Sequence, residues 1–143
     1  MAKYETRIKV RFGDIDHAGI VYYPRIINYF HVAFEEFFSD RVGLPYHELL
    51  DRRKLGFPSV KVDVDFHKTM AFGDVARVEI RTVRMGDSSL THRYRIRREG
   101  APEVCVEALI TTVCVDMATF RPTRIPDDLR TAFDYHQITE DEE

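Results

Sequence analysis

The chain has no tryptophan, only two cysteines, and no apolar run approaching the roughly 18 residues of a membrane span. Positive charge is not in excess either: 24 acidic residues face 21 basic ones, for a formal net charge of -3. Proteins that bind nucleic acid rely on Lys and Arg to neutralise phosphates, so nucleic acid is a poor candidate partner. The opening residues, Met1-Ala2-Lys3-Tyr4-Glu5-Thr6-Arg7, put charges where a secretory leader carries its apolar stretch. A cytoplasmic protein without membrane attachment is expected. Cys105 and Cys114 fall in one extended segment, where nine residues at about 3.3 Å each hold them roughly 30 Å apart. They cannot pair within the chain. Their opposite parity sends them to opposite sheet faces, and both are expected to act as small buried apolar residues.

What is present is ordinary globular material, 44% hydrophobic and 31% charged, in a length of 143 residues that suits one domain. Residues 1–136 are expected to form that domain, with 137–143 an acidic frayed tail. Tyr4, Thr6, Ile8 and Val10 alternate with Glu5, Arg7 and Lys9, the period of a half-buried strand. Beyond a loop, Ile26, Ile27, Phe30, Ala33, Phe34, Phe37 and Phe38 recur at helical spacing, which predicts one long helix to about Val42. Pro24 suits its first position and Gly43 its stop. A short helix or turn is expected between Leu44 and Leu55, with Leu49 and Leu50 inward.

Four strand patterns follow in a row. Val60, Val62, Val64 and Phe66 form the first, and Val78, Ile80 and Thr82 the second; Leu90, His92, Tyr94 and Ile96 alternate with Thr91, Arg93, Arg95 and Arg97 in the third. The fourth, residues 104–115, is apolar at both parities and is expected at the centre of the sheet. Pro122 and Pro126 interrupt what comes next, and Asp127 is placed to cap a last short helix through Phe133. Strand, long helix and a meander of four strands make an α+β fold, a five-stranded antiparallel sheet wrapped around one helix, the hotdog layout. Its open edges and wide aromatic helix predict an edge-to-edge homodimer, or a homotetramer built from such dimers.

Residues 12–24 connect the first strand to the long helix and carry two carboxylates, a histidine and a glycine just before a helix start. Unpaired N–H groups in a first helical turn carry about half a positive charge, so a carbonyl oxygen becoming an oxyanion is stabilised there. Pro24 has no N–H, which leaves Tyr23 as donor. A carboxylate upstream, on a loop that Gly19 lets fold back, is placed to face the same carbonyl carbon as nucleophile or as base for water. By residue type alone Asp14 and Asp16 serve equally well as turn residues and His17 as surface polarity.

The letters themselves, Phe12-Gly13-Asp14-Ile15-Asp16-His17-Ala18-Gly19-Ile20-Val21-Tyr22-Tyr23-Pro24, closely resemble the active-site segment of the 4-hydroxybenzoyl-CoA thioesterase family of hotdog enzymes. Weaker landmarks continue the likeness over most of the chain: Gly43-Leu44-Pro45, Gly73-Asp74, Ser88-Ser89-Leu90 and the stretch from Arg121-Pro122 to Ile125-Pro126. The resemblance implies hydrolysis of an acyl-CoA thioester, aromatic or short-chain, with no cofactor and no metal. Asp16 falls on the family's catalytic carboxylate and Tyr23 on the residue whose backbone N–H holds the carbonyl oxygen. A related branch acting on short-chain acyl-CoA has His where Tyr23 stands, so the resemblance leans to the aryl-CoA branch.

His17 and Gly19 go with the substrate-binding loop, and Phe57 and Ser59 with the acyl pocket. Where the family can carry a basic cluster for the nucleotide phosphates, this chain has Met85-Gly86-Asp87-Ser88. Arg84, Arg93, Arg95, Arg97 and Arg98 are the nearby substitutes, although their alternation with apolar residues equally describes a solvated sheet face. His31, with Glu35 four residues on, suits an ion-paired surface site, and His67 sits beside Lys68 at a strand end; neither histidine is expected to be catalytic. Asp14, Asp16 and His17 lie too close in sequence to hold an ion without a distant fourth ligand. Competing readings are an acyl-CoA-binding hotdog domain without turnover, hydrolysis of an acyl-carrier-protein thioester, and dehydration of a hydroxyacyl thioester using His17 with Glu35 or Glu36.

Overall fold

A computed structural model describes residues 3–138. The elements run β1 (Tyr4–Lys9), α1 (Tyr23–Phe37), α2 (Tyr46–Asp51), β2 (Leu55–Gly56), β3 (Ser59–Phe66), β4 (Val75–Met85), β5 (Ser89–Arg98), β6 (Val104–Val113), β7 (Val115–Asp116), β8 (Arg121–Pro122) and α3 (Asp127–Tyr135). Five strands form one antiparallel sheet in the order β1-β4-β5-β6-β3, with α1 lying across it. This is the α+β hotdog arrangement that the patterning predicts.

The helix forms because its apolar residues share a side. Ile26, Tyr29, Phe30, Ala33, Phe34 and Phe37 are buried, at spacings of three and four. They meet Val78 and Ile80 of β4, Leu90, Tyr94 and Ile96 of β5, and Val106 and Ala108 of β6 in one core. The helix starts at Tyr23, so Pro24 occupies the second helical position, not the first; either place lacks an intrahelical acceptor and tolerates the missing N–H. Its end widens into a π turn over Phe38–Val42. Gly43 closes it with φ +76° and donates its N–H to the Phe38 carbonyl at 2.9 Å.

Three expectations about order and capping need correction. The four later strands are not a meander, because β3 pairs with β6 at the far edge and only β4, β5 and β6 follow one another. The connection 67–74 is long enough to cross the sheet, and alternation encodes a strand's buried face but not its neighbour. For the same reason β5 is central and β6 lies one place out, with Val106, Ala108, Ile110 and Thr112 buried on one face and Leu109 exposed on the other. Asp127 does not cap α3. Pro126 holds the cap position and Asp127 opens the first turn, while Asp128 receives both terminal nitrogens of Arg53 at 2.7 and 2.9 Å.

The strand 104–115 also divides at Cys114, where β7 leaves to join a small sheet ordered β2-β7-β8. Both cysteines are buried and unpaired, and burial pushes the Cys114 thiol up to about 11. At the C-terminal end Gln137 bridges to Thr82 of β4, and Ile138 donates its N–H to the Thr82 carbonyl at 2.8 Å. The rest of the segment expected to be an acidic tail, 139–143, lies outside the described residues.

The outer sheet face carries an ion lattice in which Arg77 meets Glu5, Arg95 meets Glu107, and Arg97 meets Glu79. The inner face has a different polar feature. His92 is buried among Phe34, Phe37, Tyr94 and Phe133, with His136 close by. Burial, with a smaller contribution from His136, holds the His92 imidazole well below its usual 6.5, at about 3.

In the unfolded chain this imidazole takes a proton as pH falls through about 6.5, whereas the folded protein refuses it down to about 3. The stability tied to keeping it neutral is thus complete above about 6.5 and drains away as pH drops toward 3. The urea midpoint of the wild type should decline across that window more steeply than that of His92→Phe. Parallel pH curves for the two proteins would remove His92 from the acid response.

Candidate active site

Residues 12–24 fold as a compact loop held at three levels. A 3-10 turn over Phe12–Asp14 begins it, with the Arg11 N–H donated to Asp14 Oδ2 at 3.0 Å. The same Asp14 oxygen accepts the Tyr29 hydroxyl at 2.6 Å, and the Tyr22 N–H binds the Asp14 carbonyl at 2.8 Å. Asp14 therefore ties the loop to α1. Burial, followed by the hydrogen bond to the Asp14 carboxylate, raises the Tyr29 hydroxyl far above its usual range, so it remains a donor.

Asp16 lies at the start of a tight reversal. Its N–H binds the Ile20 carbonyl at 2.9 Å, its carbonyl receives the Gly19 N–H at 3.0 Å, and Ile15 bridges Val21. Gly19 sits at φ +83°, which an L side chain would resist, and this is what lets the chain turn back. The Asp16 side chain accepts the Ala18 N–H on Oδ1 at 2.8 Å. No cation pairs with it among the described residues.

The loop is anchored to the connection after β3, where the Val21 N–H meets the Met70 carbonyl at 2.8 Å. Between the two opens a cleft of about 650 Å³. Asp16, Tyr23, His67, Lys68, Thr69 and Arg98 supply its polar wall; Ile20, Val21, Ile26, Phe66 and Met70 supply the apolar one. Tyr23 is the first residue of α1, and its N–H has no acceptor among the described residues, whereas the Arg25 N–H is taken by the Tyr22 carbonyl. A second, shallower depression of about 510 Å³, lined by Gly13, Ile15, Asp16, Tyr22, Pro24, Arg25 and Asn28, meets the first at Asp16.

The other residues singled out in the sequence are distributed more widely. His17 and Gly19 are exposed on the loop and line neither depression. Phe57 and Ser59 line a separate small cavity of about 80 Å³ with Ile27, His31, Phe34 and Tyr94, on the other side of α1's stripe. Arg84 is exposed and donates to the Thr91 hydroxyl. It stands nine residues along β4 from Val75, about 30 Å from the end where Asp16 sits. In the turn after it, Asp87 pairs with Arg124 at 3.0 Å. His31 pairs with Glu35 at 3.0 Å, as its spacing suggests.

His67, beside Lys68 at the end of β3, was not expected to take part in the site, and Arg98 was grouped with the outer-face arginines. All three line the cleft with Asp16, His67 and Lys68 from exposed positions and Arg98 half-buried. Nothing periodic marks 67 and 68. Arg98 does carry a signal, because it continues the inward parity of Leu90, His92, Tyr94 and Ile96.

Residues 10–133 match the model of the thioesterase-like superfamily, and the chain belongs to that family. Over 142 residues it is 26% identical to the 1,4-dihydroxy-2-naphthoyl-CoA hydrolase of Synechococcus elongatus, covering 99% of this chain and 100% of the relative. Among solved structures it is similar to a hypothetical protein of Thermus thermophilus, at 32% identity and TM-score 0.82, covering 93% of this chain and 98% of that one. It is also similar to the gentisyl-coenzyme A thioesterase BH1999, at 27% identity and TM-score 0.80, covering 89% and 99%.

The clamp around Asp14 can be tested without substrate. Removing the hydroxyl in Tyr29→Phe should lower unfolding free energy by about 1 kcal/mol, and Asp14→Ala by about 2 kcal/mol or more because the Arg11 N–H loses its acceptor too. Chemical denaturation measures both. Unchanged midpoints would show that these bonds do not hold the loop.

Proposed function

We propose that this protein hydrolyses an acyl-CoA thioester, with an aromatic acyl group as the preferred substrate. One observation carries the reading: Asp16, whose carboxylate has no counter-ion among the described residues, and Tyr23, whose helix-start N–H has no acceptor among them, line the same cleft. The thioester carbonyl lies between them, its oxygen toward the Tyr23 N–H and its carbon toward Asp16. As the tetrahedral intermediate forms, negative charge grows on that oxygen, where the first helical turn stabilises it most. Collapse breaks the C–S bond and releases the CoA thiolate.

Asp16 either supplies the attacking oxygen, giving an acyl anhydride that water then opens, or takes the proton from an attacking water. Single turnover in labelled water separates the routes by whether solvent oxygen first appears in the carboxylate of Asp16. The apolar wall of Ile20, Val21, Ile26, Phe66 and Met70 suits a flat, largely hydrophobic group. Two of the relatives, named for 1,4-dihydroxy-2-naphthoyl-CoA and gentisyl-CoA, act on aryl-CoA thioesters, which supports the aromatic preference and a place near the 4-hydroxybenzoyl-CoA enzymes. Phe57 and Ser59, in their separate cavity, would reach an acyl group only if it extended past Ile27.

The working form is a homodimer joined along β3. Val60, Val62 and Phe66 are 62%, 45% and 49% exposed on an edge strand whose alternation would bury them. Pairing that edge with a second copy covers them and removes an open strand edge.

Asp16→Asn should reduce kcat on an aryl-CoA by roughly a hundredfold or more with the melting point little changed, because nucleophile or base is lost while the fold is kept. Thiol release measures it, and equal rates would take Asp16 out of the mechanism and favour a binding domain without turnover. For the dimer, light scattering should give twice the chain mass for the wild type and a shift toward the single mass for Val62→Lys. A monomeric wild type, or an unaltered mass for the variant, would exclude this edge.

A further inference from the structure

We infer that Arg98 is a recognition residue for an anionic group on the thioester substrate, an inference that rests on the proposed acyl-CoA reading. β5 alternates cleanly, and its inward positions Leu90, His92, Tyr94 and Ile96 are all buried against α1. Arg98 is the next inward position. An apolar side chain would continue the core there, yet the chain places a guanidinium, half-buried, in the wall of the Asp16 cleft. Directly across the sheet stands Ala76, the smallest inward residue of β4, which leaves room for the arginine stem.

The contrast with the other arginines of this end of the sheet is chemical. Arg7, Arg77 and Arg97 meet Glu99, Glu5 and Glu79 respectively. The Arg98 guanidinium has no hydrogen bond or ion pair among the described residues, and it does not approach Asp16 within ion-pair distance. A half-buried guanidinium that gives up hydration without a partner is costly unless a ligand completes it. Its backbone is fixed for the purpose: the Arg98 carbonyl accepts the Ala101 N–H at 3.1 Å, and the next residue, Glu99, donates its N–H to the Val75 carbonyl at 2.8 Å. Lys68, on the facing connection, touches Glu103 only at 3.9 Å and adds a second positive charge to the same wall.

The ligand chemistry is an oxyanion that accepts a bidentate fork. On an acyl-CoA it comes from the nucleotide phosphates or from a carboxylate on the acyl group. Four substrates separate these sources: benzoyl and 4-carboxybenzoyl thioesters, each on CoA and on pantetheine, which lacks the phosphates. Arg98→Gln should raise KM about tenfold with kcat changed less than about twofold. A penalty on both CoA thioesters that vanishes on pantetheine identifies the phosphates. One confined to the carboxylated acyl group on either carrier identifies the acyl carboxylate.

KM within about twofold of wild type on all four substrates, or an equal rise on all four including neutral benzoyl-pantetheine, would overturn the assignment. If the wild type hydrolyses none of them, the hydrolase reading fails by itself. Calorimetric affinities for CoA and for 4-carboxybenzoyl-pantetheine then decide the arginine separately: a loss of about tenfold for either in Arg98→Gln upholds it, and equal affinities for both overturn it. Should the glutamine variant not fold, Arg98→Lys, which keeps the charge and loses the fork, is judged by the same measurements with a smaller expected rise.

Discussion

The aromatic stripe of α1 pressed onto β4, β5 and β6 is the contact on which everything else is arranged. Phe30, Phe34 and Phe37 are almost fully buried there, and each such side chain contributes about 2 to 3 kcal/mol of transfer free energy. Because Phe30 stacks obliquely on Tyr94 and Phe37 lies flat against Phe133, the helix can neither roll nor slide without opening a void. Its first turn is consequently held beside the ends of β3 and β5. The carbonyl-binding role proposed for the Tyr23 N–H requires that this position does not drift, and the core, not the loop, provides the constraint.

Two carboxylates two residues apart have been given different tasks by their surroundings. Asp14 is engaged by the Arg11 N–H and the Tyr29 hydroxyl, both from the structure that carries the loop. Asp16 receives one local N–H and otherwise faces the cleft. Asp14 thus transmits the rigidity of α1 to the loop, and Asp16 inherits a fixed direction from it. The sequence could not tell these roles apart by residue type, since both aspartates suit a turn; only the family likeness of the segment favoured Asp16.

How much was legible follows from what each pattern encodes. Alternation along Tyr4–Lys9, Val75–Met85 and Ser89–Arg98 announces strands and their inward faces, and the spacing from Ile26 to Phe37 announces the helix. Neighbour relations are absent from such patterns, which is why β3 moved to the far edge and β5 to the centre. Two-residue strands such as Leu55–Gly56 have no period to read. The near wall of the cleft was visible because 12–24 is contiguous. The far wall was not, as His67, Lys68 and Met70 arrive from an irregular connection some fifty residues later. Arg98 was readable in principle, as a charge standing at an inward position, but counting it with its outward neighbours Arg93, Arg95 and Arg97 hid the difference.

That misplacement bears on the electrostatics of the cleft. A carboxylate and a guanidinium in contact at about 4 Å would attract by about 4 kcal/mol at an effective dielectric near 20, enough to draw flexible partners together. Asp16 and Arg98 share one cleft without forming such a pair. Each is restrained from its own side, Asp16 by the Ala18 N–H and the reversal at Gly19, Arg98 by a strand end stitched to Val75 and Ala101. Were they to meet, the ion pair would satisfy both and leave neither available to a substrate. Unpaired with each other, they place opposite charges in one depression, and a molecule with an electrophilic carbon near one and an oxyanion near the other fits that field better than a neutral one.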